Sequence, residues 1–454
     1  MCQKSLQDFV TSIKEQYKSV FFDVLTKNKN VSFYFLDLKI ADDFYQESLK
    51  KGYDSTFLFE AGNYPKVEIY NVDEKDFYQS IIDITSYVQD WKTRITRYSN
   101  KECYCVANPD DNFINSLPKK TWQGCPGIAV TKKGRIFISI YTGGESEPHP
   151  DNYTALYYSD DGGENWSKPV FITYSNKERC VHSVDMQMFI DKNGKLNITW
   201  MQEDYLRNAR FVNNYGCYFY DTEHCSYIVQ VAEPDAEQLS FSSPKCFSKG
   251  FMRNKPIELS DGSTLYFCYD HSCDRYGFTK SFDGKTFKRI YGGKKLPAPF
   301  DETMGYQLKD GSIKTYARTS VDCLAQTVSK DFGETWTDGE ETEIQNANTR
   351  FYVGRTPSGR ILLVNNDQKN APKLMRSNLT VYLSEDDGKT FKYKRLIDNR
   401  EGVSYPDVDY HDGKIYLVYD RGRDKENKLI LSIFTEEEIC SKNFNPIKKY
   451  VLDI

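Results

Sequence analysis

Six times between residues 134 and 413 the chain repeats one short pattern, a β-forming run on each side of a turn that contains glycine. The glycines are Gly134 (KKGRIFISI), Gly194 (KNGKLNITW), Gly262 (SDGSTLYFCY), Gly311 (KDGSIKTYA), Gly359 (PSGRILLV) and Gly413 (HDGKIYLVYD), at steps of 60, 68, 49, 48 and 54 residues. A turn glycine between two short β-runs is a hairpin signal, because glycine accepts positive φ without strain. A hairpin recurring at a nearly fixed step signals a repeat architecture, and units of this length built of short strands suit four-stranded propeller blades. The expected fold is all-β, a six-bladed β-propeller over residues 121–454.

A second motif runs in phase with the first. Ser-x-Asp-x-Gly-x-x-aromatic occurs at Ser159-Asp161-Gly163-Trp166, Ser329-Asp331-Gly333-Trp336 and Ser384-Asp386-Gly388-Phe391, with a shortened copy at Ser281-Asp283-Gly284-Phe287. Ser and Asp can bond the turn's own backbone, and the aromatic can plug the blade.

Residues 1–100 carry neither motif. Phe9, Ile13 and Tyr17 recur at helical spacing, and so do apolar residues of 76–93. The runs 31–38, 55–61 and 66–72 read as strands. An accessory α+β domain is expected there, followed by a linker over 101–120. The net charge of −5 offers no electrostatic footprint for nucleic acid, and no apolar run is long enough to cross a membrane. With no signal-peptide core after Met1, a cytoplasmic location is expected, with the 12 cysteines as thiols. Their spacings match no zinc signature, and no cofactor or metal is implied.

In a propeller the first strand of each blade lines the axis. The residues seven to nine before each hairpin glycine are therefore the informative ones: Pro126, Asp185, Lys255, Glu302, Arg350 and Tyr405. The second strands end near Gln202, Asp270, Arg318 and Asp420. The ring is polar where packing alone would demand apolar residues, and buried charge is costly unless paired or functional.

The Ser-x-Asp-x-Gly-x-x-Trp boxes resemble the Asp-box repeats of the sialidase (neuraminidase) superfamily, and the likeness covers about residues 120 to 440. That resemblance implies a glycoside hydrolase acting on a carbohydrate. It pairs Glu302 with Arg318 across Asp310-Gly311, gives a further arginine in Arg376, and gives a tyrosine in the last blade, Tyr405. In that family the tyrosine is the nucleophile, an exception to the two-carboxylate rule, and the glutamate takes its proton. Carried over, Tyr405 attacks, Glu302 is its base, and Arg318 and Arg376 hold a substrate carboxylate by charge-assisted hydrogen bonds. Arg318 is also expected to lower the tyrosine's pKa.

Two departures stand out. The family's first blade opens Arg-Ile-Pro, where this chain has Gly124-Cys125-Pro126. Arg253 or Lys255 could supply the missing cation. The family's acid is an aspartate in the loop after the first hairpin, which here reads GGESEPHPDNY, with Asp151 the first choice and Glu147 the second. Asp185 and Asp407 are alternative acids or partners for sugar hydroxyls. Three functions stay open: a sialidase-type exo-glycosidase acting on a terminal anionic sugar, a glycosidase or lyase on another sugar, and a non-catalytic glycan- or protein-binding propeller. The oligomeric state is not legible.

Overall fold

The computed structural model describes residues 21–27, 30–35, 38–50, 52–58, 66–70 and 103–451, apart from 146, 148, 150, 177–180, 205–210, 213–217, 220–224, 270–273, 299 and 424. Six antiparallel sheets follow one another along the chain: five have four strands and the first has a fifth, and in the second a separate two-stranded hairpin, Phe211–Val212 with Tyr218–Phe219, lies between the second and third strands. Their innermost strands are Trp122–Val130, Val181–Ile190, Ile257–Glu258, Met304–Gln307, Tyr352–Arg355 and Val403–His411. The protein is a six-bladed β-propeller. All six hairpin glycines carry a positive φ, between 69° and 93°, which is why the turn pattern recurs so strictly.

The Asp-boxes tie each turn to itself. In blade four Ser329 Oγ donates to Asp331 (2.8 Å) and accepts from Gly333 N (2.8 Å), while Asp331 accepts from Thr335 N at 2.9 Å. The aromatic turns inward: Trp336 stacks on Phe278 of blade three with centroids 4.1 Å apart. The box thus bridges neighbouring blades, which explains its phase with the hairpins.

Blade six closes the ring on blade one with carboxylates. Asp420, Asp407 and Asp409 each accept a backbone N–H from the innermost strand of blade one, at Cys125, Ile128 and Val130, all at 2.9 Å. Buried N–H groups that no ladder reaches are satisfied in this way.

The expected linker is corrected. Cys105–Ala107 pairs with Phe171–Tyr174 as a fifth, outermost strand of blade one, and Asp111–Ser116 is a short helix capped by Asp110. Three strand residues between turn formers leave no readable alternation. Near the N-terminus, strands Phe21–Lys27, Asn30–Phe35, Lys66–Ile69 and Ser55–Leu58 form a separate sheet in that order, beside helix Leu38–Lys50. The helices expected around residues 9–17 and 76–93 lie outside the described residues. The expectation that every cysteine is a thiol also needs correcting, because Cys225 and Cys246 form a disulfide across two strands of blade two. No helix among the described residues is long and apolar enough to cross a membrane.

Candidate active site

The register rule that builds the blades also builds the site. Cys125, Asp185, Arg253, Glu302 and Arg350 stand nine residues before their hairpin glycines, and Tyr405 stands eight before its own. In blades one, two and six a β-bulge interrupts the first hairpin at this level, between Gly124 and Gly127, Val184 and Gln187, and Ser404 and Asp407. Cys125, Asp185 and Tyr405 sit in those bulges with φ of 50°, 55° and 55°, and Glu302 has φ 28°. Left-handed backbone at non-glycine residues costs about 1–3 kcal/mol each and concentrates where a side chain must be aimed.

What the bulges aim at is a phenol. Tyr405 Oη donates to Glu302 Oε1 at 2.8 Å. Arg318 Nη1 donates to Glu302 Oε2 (2.9 Å) and to Tyr405 Oη (3.1 Å). Arg253 Nη1 donates to the same phenol oxygen at 3.3 Å, and its Nε lies 2.5 Å from Asp185 Oδ2. Tyr405, Glu302 and Arg318 are thus brought together, and all three are buried.

Arg376 approaches from the loop before the third strand of blade five, with its guanidinium 5.9 Å from the Tyr405 ring centre. Its Nη2 donates to Asn348 O at 2.8 Å, whereas Nε and Nη1 are buried with no hydrogen-bond partner. Burial, with Arg318 and Arg423 close by, pulls its pKa down to about 10.

Sequence reasoning passed over Arg423. Its guanidinium lies 3.9 Å from the centre of the Tyr405 ring and is bound to Asp420 and Glu147. The available signal was Gly124, a residue without a side chain on an axial strand.

The two loop acids differ. Glu147 is drawn into the centre, where Arg423 (3.0 Å), Lys373 (3.2 Å) and Arg253 (3.6 Å) surround its carboxylate and the Cys125 thiol donates at 3.3 Å. Burial would raise its pKa, but Lys373, Arg423 and Arg253 hold it well below the usual carboxylate range. Asp151 lies 3.7 Å from His149 with its side chain 30% exposed.

Lys255, Arg350 and Asp407 form a second axial cluster, joined by contacts within the protein. Lys255 Nζ donates to Val408 O at 2.6 Å and lies 3.3 Å from Asp409. Arg350 donates to Asn254 Oδ1 (2.8 Å) and Pro126 O (3.2 Å) and lies 3.3 Å from Asp407. These polar atoms serve the ring closure described above.

The electrostatics are sharply divided. Burial would raise Glu302, but Arg318 and Arg253 bring it below its ordinary value. Burial and the Glu302 charge push Tyr405 well above an ordinary phenol. Arg318 lowers it, as expected, but burial and Glu302 outweigh that pull. Asp185 is raised by burial to about 7, against the pull of Arg253. Cys125, Glu147 and Asp185 bring their ligand atoms within 4.8 Å of one another. Arg253 already pairs with both carboxylates, and Arg423 and Lys373 pair with Glu147, so the positive charge beside these carboxylates comes from side chains.

Known proteins agree with this architecture. Residues 134–417, more than half of the chain, match the family model of the BNR repeat-like domain. The anhydrosialidase of Macrobdella decora is 29% identical over 181 residues, which is 35% of this chain and 23% of that protein. The chain therefore spans about a quarter of the length of that relative. An intramolecular trans-sialidase from Ruminococcus gnavus superposes with a TM-score of 0.53 at 17% identity, covering 72% of this chain and 99% of that one. The NanB sialidase from Streptococcus pneumoniae gives 0.54 at 15% identity, covering 86% and 74%. With the repeats, the boxes and the six blades in agreement, the chain belongs to the BNR repeat-like family.

Proposed function

We propose that this protein is an exo-glycosidase of sialidase type that removes a terminal anionic sugar through a covalent intermediate on Tyr405. The observation that carries this reading is the triangle of Tyr405 Oη, Glu302 Oε1 and Arg318 Nη1, with edges of 2.8 and 3.1 Å meeting at the phenol oxygen. A buried phenol hydrogen-bonded to an ionised glutamate is a nucleophile held against the base that can take its proton as it attacks. In the first step Glu302 takes the phenol proton, the phenol oxygen bonds to the anomeric carbon, and the bond to the leaving oxygen breaks.

The leaving oxygen needs a proton. We assign that donation to Asp151, because a carboxyl surrounded by three cations, as Glu147 is, carries no proton to give. Water, deprotonated by the same residue, then bonds to the anomeric carbon as the bond to Tyr405 Oη breaks, and Glu302 returns its proton to the phenol oxygen. The class of sugar follows from charge. Arg253, Arg318, Arg376, Arg423 and Lys373 face Glu147, Asp185, Glu302 and Asp420, and Arg376 keeps two buried nitrogens without a partner. A carboxylate entering beside Arg376 completes that balance.

The test is a screen of aryl glycosides of sialic, uronic and neutral sugars with the native chain and Tyr405→Phe. Turnover of an acidic glycoside that disappears in the variant supports the reading, and equal turnover by both refutes it. The mass of the product separates release by water from the intramolecular transfer named for the Ruminococcus gnavus protein.

A further inference from the structure

Arg423 is a buried cation whose setting is almost wholly rigid. It is 2% exposed and follows the second strand of blade six, Lys414–Arg421. Its side chain runs against the backbone of blade one, where a Cβ at Gly124 would come within 2.9 Å of both Cδ and Nε. Glycine at 124 is therefore what admits the arginine. Asp420 anchors it, accepting a hydrogen bond from Nε at 2.9 Å, with Nη2 2.8 Å from the same carboxylate oxygen. Asp420 is fixed in turn by Cys125 N (2.9 Å) and Ser404 Oγ (2.8 Å). Nη1 faces the carboxylate of Glu147 at 3.0 Å.

Glu147 is the opposite kind of partner. It belongs to the loop joining Ile136–Gly143 to Tyr153–Ser159. Its carboxylate is shared by cations from three other blades: Arg253 of blade three, Lys373 of blade five and Arg423 of blade six. A loop carboxylate thus occupies a pocket whose cations are held by the blades.

We propose that Arg423 reads the anionic group of the substrate together with Arg376, and that Glu147 keeps that place in the empty enzyme and yields it when substrate enters. This rests on the glycosidase reading above. Exchanging one carboxylate for another keeps Arg423 and Lys373 paired throughout, and leaving them without the exchanged carboxylate is the costly alternative. A neutral sugar makes the exchange only at a cost, because displacing Glu147 would take the carboxylate from Lys373 and leave Arg423 with Asp420 alone. Selectivity then comes from a penalty on the wrong ligand as well as from attraction to the right one.

The test is calorimetric titration with free sialic acid and with its neutral carboxamide. Arg423→Ala is expected to bind the acid at least about tenfold more weakly, the loss of one charge-assisted hydrogen bond, and the carboxamide within about twofold of the native chain. Glu147→Gln is expected to bind the acid at least about threefold more tightly, since the resident carboxylate is gone. Arg423→Lys, the variant to use if the alanine form does not fold, is expected to show a smaller loss confined to the acid. Equal weakening toward acid and carboxamide overturns the proposal, as does a Glu147→Gln protein that binds the acid no more tightly. If the native chain cleaves an acidic glycoside and either result is seen, only the present proposal falls. If it binds no sugar acid at all, the glycosidase reading falls with it.

Discussion

Tyr405 and Glu302 lie 103 residues apart in the chain and 2.8 Å apart at their oxygens. One comes from a bulge in blade six and the other from the entry to blade four, both in left-handed backbone with φ 55° and 28°. Neither strand would present its side chain to the axis in regular pleating. The strain and the contact are two views of one design, since backbone energy is committed to holding a phenol against a carboxylate.

Arg376 is a functional group whose burial is a liability without ligand. Arg376→Met should raise the stability of the free protein by on the order of 1 kcal/mol, because two unpartnered buried donors disappear. The same change should raise KM for an acidic glycoside at least about tenfold. Thermal melts and initial rates check the two effects together. A variant that is less stable and unchanged in KM would contradict the role given to Arg376.

Asp185 sets a pH dependence of stability. Its carboxyl is raised from an ordinary aspartate value to about 7, first by burial. Between about pH 4, where the unfolded chain ionises, and pH 7, the folded state binds the extra proton. Stability from this group is present at the acid end and lost as pH rises through that window. Relative to Asp185→Asn, the native chain should therefore lose stability from pH 4 to 7 and change little above pH 8. A pH series of melting temperatures for both proteins reads this directly, and parallel curves would contradict it.

Much of this was legible because the repeats carry their own ruler. The hairpin glycines and boxes placed six blades, and counting back from each glycine reached Asp185, Glu302 and Tyr405. The same count reached Lys255 where Arg253, two residues earlier, meets the phenol. A window three residues wide cannot choose a side when side chains alternate faces. Asp407 shares a bulged strand with Tyr405, yet it caps Ile128 N, a contact across the ring closure that no local pattern encodes. Arg423 was hidden for a related reason, since its place depends on Gly124 in a blade at the other end of the sequence.

The boxes themselves can be tested by one methyl group. Gly388 has φ 76°, and a Cβ there would sit 2.0 Å from Tyr306 Oη, while Gly262 has φ 86° with nothing within 4 Å. Gly262→Ala should cost about 1–2 kcal/mol from left-handed backbone alone. Gly388→Ala should cost more by on the order of 1–3 kcal/mol, because tyrosine and box must separate. Urea titrations of both variants give the difference, and equal losses would mean the box tolerates movement between blades.

Asp151→Asn should slow hydrolysis of glycosides with poor leaving groups far more than that of activated aryl glycosides, by about a hundredfold or more against a few-fold, since only the former need a proton on departure. Rates on a series of leaving groups show this as a steepened dependence on leaving-group pKa. An equal fall across the series would remove Asp151 as the acid.

The most direct measurement is of the covalent bond itself. A fluorinated glycosyl fluoride of an acidic sugar forms the glycosyl-enzyme readily and releases it slowly. Incubation with the native chain, proteolysis and mass spectrometry should find the added sugar on the peptide containing Tyr405, with no adduct in Tyr405→Phe. An adduct on a carboxylate such as Asp185 or Asp407, or steady turnover of the substrate by Tyr405→Phe, would contradict the tyrosine mechanism.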